Sequence, residues 1–228
     1  MRALILTALL MLVAACGRPM TENEIAFDRA IHGDDVNPAR VRFHDGLIAG
    51  SFTYQRPVRP RLTCMERIFP PSRGETVTVS PGAAVAFNRV FYRRDLYRDD
   101  FMANFPEQID LLDATLMAHE MVHVWQWQNR KRTGYHPLKG AGEHAGNPDP
   151  YLFDIETEAR FLDYGYEQQG AIVEEYVCCR LLDPDAPRTG RLRAMIGAEM
   201  PIDRLDRAIS RPKVSLPWKG AETRGICR

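Results

Sequence analysis

The hydrophobic positions between residues 109 and 127 recur at helical spacing and predict one long, largely buried α-helix. Its apolar side is formed by Ile109, Leu112, Leu116 and Trp127. The stretch Asn104-Phe105-Pro106-Glu107 has the composition of a helix start, with Asn as the cap and Pro in the first turn. Three basic residues followed by Gly134 are typical of a helix end. The helix is therefore expected between residues 104 and 134.

Alternation of apolar and polar residues predicts short strands before this helix. They lie at residues 41–44, 76–80, 85–87 and 90–92. Thr21-x-x-Glu24 is a capping box and predicts an earlier helix that ends at Gly33. The Pro- and Arg-rich residues 56–73 and the Gly- and Pro-rich residues 135–150 are expected to be irregular, the latter bordering a cleft.

Helical patterns return after the long helix. A second strong helix is predicted from about residue 167, after the break at Gly165, to residue 182. Residues 183–228 predict one or two short helices, at 192–200 and 202–209, that pack on the domain as an appendage. The expected fold is α+β, with a small sheet, a long helix and a second helix forming one domain over residues 21–182.

Composition limits the classes of partner. The 228 residues are 45% hydrophobic, which is enough for a core, and 30 Lys and Arg balance 30 Asp and Glu. A net charge of zero gives no electrostatic case for nucleic acid or for broad binding to an anionic membrane.

The N-terminus has the features of a secretory signal. Arg2 precedes a short apolar run that ends in Val13-Ala14-Ala15-Cys16-Gly17, too short for a stable membrane span. This ending resembles a bacterial lipobox, which implies a signal peptide over residues 1–15 and acylation of Cys16. Residues 16–20 are then a lipidated tether and the membrane is contacted through the lipid alone. Gly17 after the cysteine favours the periplasmic face of the outer membrane.

The remaining cysteines predict structural disulfides. Cys64, Cys178, Cys179 and Cys227 would remain after processing, and an even number in an oxidising compartment indicates two bridges. Cys178 and Cys179 are adjacent and rarely pair with each other, because such a bridge strains the peptide between them. We therefore expect Cys64 and Cys227, in either order, to pair with Cys178 and Cys179.

The chemistry of the chain is predicted to centre on His119-Glu120-Met121-Val122-His123, which has the form H-E-x-x-H. Residues four apart lie on one face of a helix, so His119 and His123 can offer two imidazole nitrogens to one cation. Glu120 borders that face and can take a proton from a metal-bound water. The pattern predicts half of a tetrahedral zinc site with its general base.

The sequence leaves the third ligand open among four residues. Glu156 and Glu167 are each followed, three or four positions on, by small residues that allow close helix approach. Rigid support from the cysteine-stapled helix favours Glu167. His136 and His144, in the loop after the long helix, are further candidates. A metzincin needs a third histidine where this chain has Asn129, so that class is excluded.

Five stretches between about residues 19 and 180 form a recognisable set. They are Pro19-Met20-Thr21-x-x-Glu24-Ile25, Val41-Arg42-Phe43-His44, Tyr97-Arg98-Asp99-Asp100-Phe101, His119-Glu120-x-x-His123-Val124-Trp125-Gln126 and Phe161-x-x-Tyr164-Gly165-x-Glu167-Gln168-Gln169-x-x-Ile172-Val173. Together they resemble the zinc metallopeptidase-like proteins labelled Vgr-related, which are similar to the H-E-x-x-H core domain found near contractile injection systems.

The resemblance implies a zincin-like fold of the gluzincin type and Glu167, rather than Glu156, as third ligand. It does not imply a spike protein, since no spike β-repeats are present. The lipobox, the insert at residues 56–73 and the cysteine-containing tail depart from the family pattern. They put the family's usual location and partners in question, but not the motif.

We therefore expect a zinc-dependent peptidase anchored to the bacterial envelope, with an unknown peptide or protein substrate. Glu120 acts as base, the strand at 90–92 holds an extended substrate, and Tyr135, Tyr164 or Tyr166 stabilises the oxyanion. The alternative is a zincin-fold lipoprotein that binds or scaffolds without turnover.

Overall fold

A computed structural model describes residues 17–47, 53–145, 147, 149–154 and 159–228. The predicted signal peptide, Cys16 and the candidate ligand Glu156 lie outside these residues. The architecture is mixed α and β. Its helices are α1 Glu22–His32, α2 Cys64–Ile68, α3 Leu111–Gln128, α4 Arg130–Thr133, α5 Pro137–Glu143, α6 Tyr166–Leu182, α7 Pro187–Gly197 and α8 Asp203–Ala208.

The described strands are short and form three small sheets. They are β1 Arg42–Asp45, β2 Tyr54–Pro57, β3 Thr76–Val79, β4 Ala83–Ala86, β5 Arg89–Tyr92, β6 Gln108–Asp110 and β7 Lys213–Ser215. The largest sheet has the order β1-β5-β4, with β1 parallel and β4 antiparallel to β5. β2 pairs with β3 and β6 with β7, so the C-terminal segment joins the strand that leads into α3.

The capping box predicted for α1 is confirmed. The Thr21 hydroxyl accepts from the Glu24 amide at 3.2 Å, and the Glu24 carboxylate accepts from the Thr21 amide at 2.8 Å. Gly33 ends the helix at φ 64°, in the left-handed region that favours glycine.

Three local predictions were wrong. α3 does not begin at residue 104, because β6 intervenes and Asp110 is the cap, accepting from the Asp113 amide at 3.1 Å. Residues 56–73 are not wholly irregular, since they contain α2, capped by Thr63 and Glu66. Residues 135–150 contain α5, which starts with proline and is capped by the His136 ring. The last two corrections share one cause, because side-chain caps start helices that are too short to show a hydrophobic period.

The core lies between the sheet β1-β5-β4 and the helices α3 and α6. Trp125 of α3 and Tyr176 of α6 are fully buried there. The disulfides are Cys64–Cys178 and Cys179–Cys227, so the predicted scheme is confirmed. They tie α2 and the C-terminus to the same end of α6. Among the described residues, no helix combines the length and apolar character needed to cross a bilayer.

Candidate metal centre

α3 places the two histidines of the motif on the face that packs against α6. His119 and His123 are buried, with ring centroids 5.2 Å apart. One helical turn separates them, so both rings emerge side by side. The prediction that these side chains share one face of a helix is confirmed.

Glu167, in the first turn of α6, lies opposite both rings. Its Oε2 atom is 3.4 Å from His119 Nε2 and 3.3 Å from His123 Nε2. One ligand atom from each of the three residues falls within 4.8 Å of the others. Two imidazole nitrogens and a carboxylate oxygen are a donor set that Zn²⁺ takes in proteins.

The remaining ring nitrogens have their own acceptors. His119 Nδ1 lies 3.2 Å from Glu174 Oε2, and His123 Nδ1 lies 2.9 Å from Gln126 Oε1. The Gln126 amide nitrogen donates to the Tyr166 carbonyl and to Gln169 Oε1, which assigns its oxygen to His123. A proton held on each Nδ1 leaves the Nε2 lone pairs free for a cation.

The sequence interpretation missed Glu174 and Gln126. A spacing signal was available for both: Glu174 lies two helical turns after Glu167 on α6, and Gln126 lies three residues after His123 on α3.

Gly170 allows α6 to approach His119. An ideal Cβ on Gly170 would lie 2.8 Å from both His119 Cε1 and Nε2, which is closer than real contacts of this kind. The His119 ring therefore occupies the space that any other side chain would fill. The residues present thus fit a metal. Three donor atoms converge, and the Nδ1 atom of each histidine has its own acceptor. The glycine in α6, which carries the candidate third ligand, leaves room for the ring of His119.

Burial and the neighbouring charged groups shift the pKa values of His119 and Glu167 in opposite directions. Burial by itself lowers the pKa of His119, but its hydrogen bonds to Glu167 and Glu174 raise the pKa well above the ordinary value. Burial by itself raises the pKa of Glu167, but His123 and His119 hold it well below the ordinary value. Because a ligating imidazole must be neutral and a ligating carboxylate ionised, metal binding at this point is expected to depend on pH.

Glu120 is buried beside the triad and faces the same cavity. Burial raises the pKa of its carboxyl, while the neighbouring His119 and His123 oppose that shift. The cavity has a volume of about 830 Å³ and is bounded by β2, β4 and α5 as well as α3 and α6.

Three tyrosines line this cavity, Tyr54, Tyr135 and Tyr151, and the last two lie close to the histidines. Tyr135 stacks with His123 at a centroid distance of 6.2 Å, and burial raises the pKa of its hydroxyl. Tyr151, which the sequence interpretation missed, lies 5.7 Å from His119. Tyr164 and Tyr166 are not among the lining residues. Of the three tyrosines predicted for the oxyanion, only Tyr135 lines the cavity.

The loop histidines separate into two roles. His136 Nδ1 accepts from the Leu138 amide at 3.2 Å and so caps α5, away from the triad. His144 Nε2 lies 3.1 Å from Glu167 Oε1, the oxygen turned away from His119 and His123. Next to it, Glu143 accepts from the amides of Tyr166 and Glu167, at 2.8 and 3.0 Å. The end of α5 therefore holds both the backbone and the side chain of Glu167.

The strand beside the cavity is β4, not β5 as predicted. β5 is central and hydrogen-bonds on both edges, to β1 and to β4, so it has no backbone groups left for a substrate. β4 pairs only with β5 among the described strands, and Ala83, Ala84 and Val85 line the cavity.

No family model matches the chain. In sequence it is similar to the type VI secretion system spike protein VgrG2b of Pseudomonas aeruginosa, with 25% identity over 167 residues. The match covers 72% of this chain and 13% of that protein, so the chain spans only a small part of its relative's length. The solved effector domain of VgrG2b superposes with a TM-score of 0.49 at 22% identity, over 82% of this chain and 86% of that one. The sequence similarity supports a relationship between this chain and the Vgr-related proteins.

Proposed function

We propose that the chain is a zinc-dependent peptidase of zincin-like, gluzincin-type fold, with His119, His123 and Glu167 as metal ligands. The observation that carries this proposal is the convergence of the two Nε2 atoms on Glu167 Oε2, with each Nδ1 held by its own acceptor. The similarity in sequence to VgrG2b suggests an effector-type function.

Bound Zn²⁺ supplies a Lewis acid that polarises the scissile carbonyl and lowers the pKa of water to about 7. Glu120 accepts the proton of the attacking water and passes it to the nitrogen of the leaving amine as the C–N bond breaks. Tyr135, and Tyr151 on the other side of the cavity, present hydroxyls to the oxygen on which negative charge develops. Glu174 and Gln126 keep the imidazole nitrogens aimed at one point.

An extended substrate pairs with the outer edge of β4. Antiparallel pairing uses the open backbone groups of this strand and sets the scissile bond along the metal helix. On the side of the cavity away from β4, the bound peptide would face β2 and α5, which limit the access of water.

We also propose that acylated Cys16 anchors the domain to the envelope. Gly17 and Arg18 lie directly on the fold, since Arg18 and Phe43 exchange backbone hydrogen bonds of 2.8 and 2.9 Å. An anchor at Cys16 would therefore hold the domain close to the membrane. Labelling with a radioactive fatty acid should mark the wild-type protein and not the Cys16→Ser variant. Equal labelling of the two proteins would contradict the proposed lipid anchor.

The test of the peptidase is zinc content together with hydrolysis of a mixed peptide library. Wild type is expected to bind one zinc and to cleave, whereas Glu120→Gln keeps the zinc and loses cleavage by at least about a hundredfold, the scale of a lost general base. A wild-type protein that takes up no zinc contradicts the site. Equal zinc in both proteins without cleavage by either favours the alternative, a binding or scaffold module.

A further inference from the structure

Phe87 occupies an unusual backbone position at the turn between β4 and β5. Its φ is 61°, and it is the only residue other than glycine with positive φ in the described part of the chain. Turns of this kind normally place glycine there, because a side chain meets its own backbone. The ring is nevertheless 48% exposed. An exposed aromatic held in a strained conformation is a feature found at binding sites.

Phe87 belongs to a cluster of rings that is followed in the chain by an exposed leucine. Its ring packs edge-on against Trp127 at 4.8 Å, and Trp127 also contacts His136 at 6.5 Å. Leu138, two residues further on, is 77% exposed, the most exposed of the large apolar side chains in the described residues. We call these four residues the Phe87 surface.

Three cations belong to the segments that carry the Phe87 surface. Arg130 lies over Trp127 at 4.4 Å from the ring centroid, and Lys131 and Lys139 are exposed nearby. Arg130 and Lys139 bond backbone carbonyls, of Trp127 and Gly134. No described carboxylate forms an ion pair with any of the three, whereas the adjacent Arg132 is paired with Asp35 at 3.1 Å. The charge of this surface is therefore available to a negative partner.

The Phe87 surface continues the cleft. Phe87 follows the last residue of β4, the strand whose open edge lines the cavity, and Pro137 between His136 and Leu138 lines the cavity from the other side. A polypeptide that pairs antiparallel with β4 runs with its N-terminal part toward the carboxyl end of the strand. That part leaves the cleft across Phe87 and Trp127.

We infer that the Phe87 surface binds the substrate residues that precede the scissile bond and selects apolar side chains flanked by carboxylates. Apolar residues cover the exposed rings, and the carboxylates pair with Arg130, Lys131 and Lys139. The inference rests on the proposed peptidase function, because it assigns the sequence class of that enzyme's substrate.

A membrane is a poorer occupant for this surface. Gly17 lies against His44, near the carboxyl end of β1, since its ideal Cβ would be 2.7 Å from that ring. Phe87 lies at the other end of the sheet, where the Arg42 amide at the start of β1 bonds the Asn88 carbonyl at 3.0 Å. An anchor at Cys16 would hold the far end of the sheet against the bilayer.

The test uses peptide binding to Glu120→Gln protein, which needs no turnover. The probe is a fluorescent decapeptide with alternating Asp and Phe or Leu in its N-terminal half and Ala in its C-terminal half. A second peptide reverses the order of the two halves, and a third replaces each Asp by Lys. The variants are Phe87→Asn, since Asn tolerates positive φ, and as control Phe69→Asn, an exposed phenylalanine outside the surface.

The first peptide is expected to bind at least about fivefold more tightly than the other two, with affinity that falls as salt rises. Phe87→Asn should lose most of this preference, and Phe69→Asn should keep it. Equal binding of the three peptides, or an unchanged preference in Phe87→Asn, overturns the inference. If the binding preference is found but the wild-type protein cleaves no peptide, the peptidase proposal fails and the inference about the Phe87 surface stands. If the wild-type protein cleaves peptides but neither binding nor cleavage depends on Phe87, the inference fails and the peptidase proposal stands.

Discussion

At the scale of single residues, the candidate centre depends on groups that never touch the metal position. Glu174 and Gln126 fix the tautomer and orientation of the two histidines through Nδ1. Such partners commonly change metal affinity by one to two orders of magnitude. Their side chains are therefore as informative to test as the ligands themselves.

Replacing Glu174 by Gln should weaken zinc binding about 10- to 100-fold, because an amide is a weaker acceptor for the His119 Nδ1 proton than a carboxylate is. A competition titration with a zinc-binding dye measures this. Glu222→Gln, an exposed glutamate far along the chain, is the control and should bind zinc as wild type does. Unchanged affinity in Glu174→Gln would show that the His119 contact does not matter for the metal.

Gly170 and Gly190 offer a matched pair of helix glycines. Gly170→Ala places a methyl group against the His119 ring and should destabilise the fold by about 1–3 kcal/mol and weaken zinc binding. Gly190, in α7, has no atom within 4 Å of its ideal Cβ, so alanine there should stabilise by about 0.5–1 kcal/mol. Urea unfolding and zinc titration of both variants test this. Similar effects at the two sites would refute the packing role of Gly170.

At the scale of elements, α5 is the piece that completes the site. It is short, begins at a proline and ends at Glu143, whose carboxylate takes the first free amides of α6. The first amides of a helix have no partner within it, and here one of them belongs to Glu167. The start of α6, which carries the candidate ligand Glu167, is thus set by a neighbouring element.

Glu143→Ala should remove this cap, cost about 1 kcal/mol as lost caps do, and loosen the backbone of Glu167. Hydrogen exchange at the Tyr166 and Glu167 amides should accelerate, with zinc affinity reduced and exchange later in α6 unchanged. Glu143→Gln keeps one acceptor oxygen and should recover part of the protection. Exchange at these two amides that equals wild type would contradict the capping role.

Across the whole molecule, the sequence predicted correctly those features that are determined by a local pattern of residues. The H-E-x-x-H spacing, the capping box of α1 and the cysteine scheme each depend on near neighbours or on simple geometry. The small residues after Glu167 also pointed to the close packing now seen at Gly170. Rigid support from the disulfide-tied helix and the family resemblance both favoured Glu167 over Glu156, which lies outside the described residues.

Other features depended on contacts between distant segments. β5 has the stronger strand sequence, but its place between β1 and β4 is decided by pairing across the chain, so its edges are not free. β6 displaces the predicted helix start because β7, about a hundred residues later, pairs with it. Glu174 and Tyr151 reach His119 only once α6 and the loop after α5 have packed.

Near the middle of α6, Glu175 belongs to a second buried ionic group and also lines the cavity. Glu175 is 2% exposed and Arg188 5%, and Arg188 Nη1 donates to Glu175 at 3.0 Å. Glu175 also accepts from the amide of Cys64, at 2.7 Å, beside the Cys64–Cys178 disulfide. This cluster joins α2, α6 and α7, so its charge state affects global stability.

Burial raises the pKa of Glu175 to about 6, although Cys64 and Arg188 oppose the shift. A carboxyl whose pKa is higher in the folded state stabilises most below its unfolded pKa and loses that contribution as pH rises through the folded value. From pH 4 to 7.5, the free energy of unfolding of wild type should therefore fall by about 2 kcal/mol relative to Glu175→Gln, since each pKa unit is worth about 1.4 kcal/mol. Urea unfolding at several pH values, with disulfides intact, measures the difference. A difference that is constant, or that changes in favour of wild type at high pH, would mean that Glu175 is held as a carboxylate by Arg188 throughout.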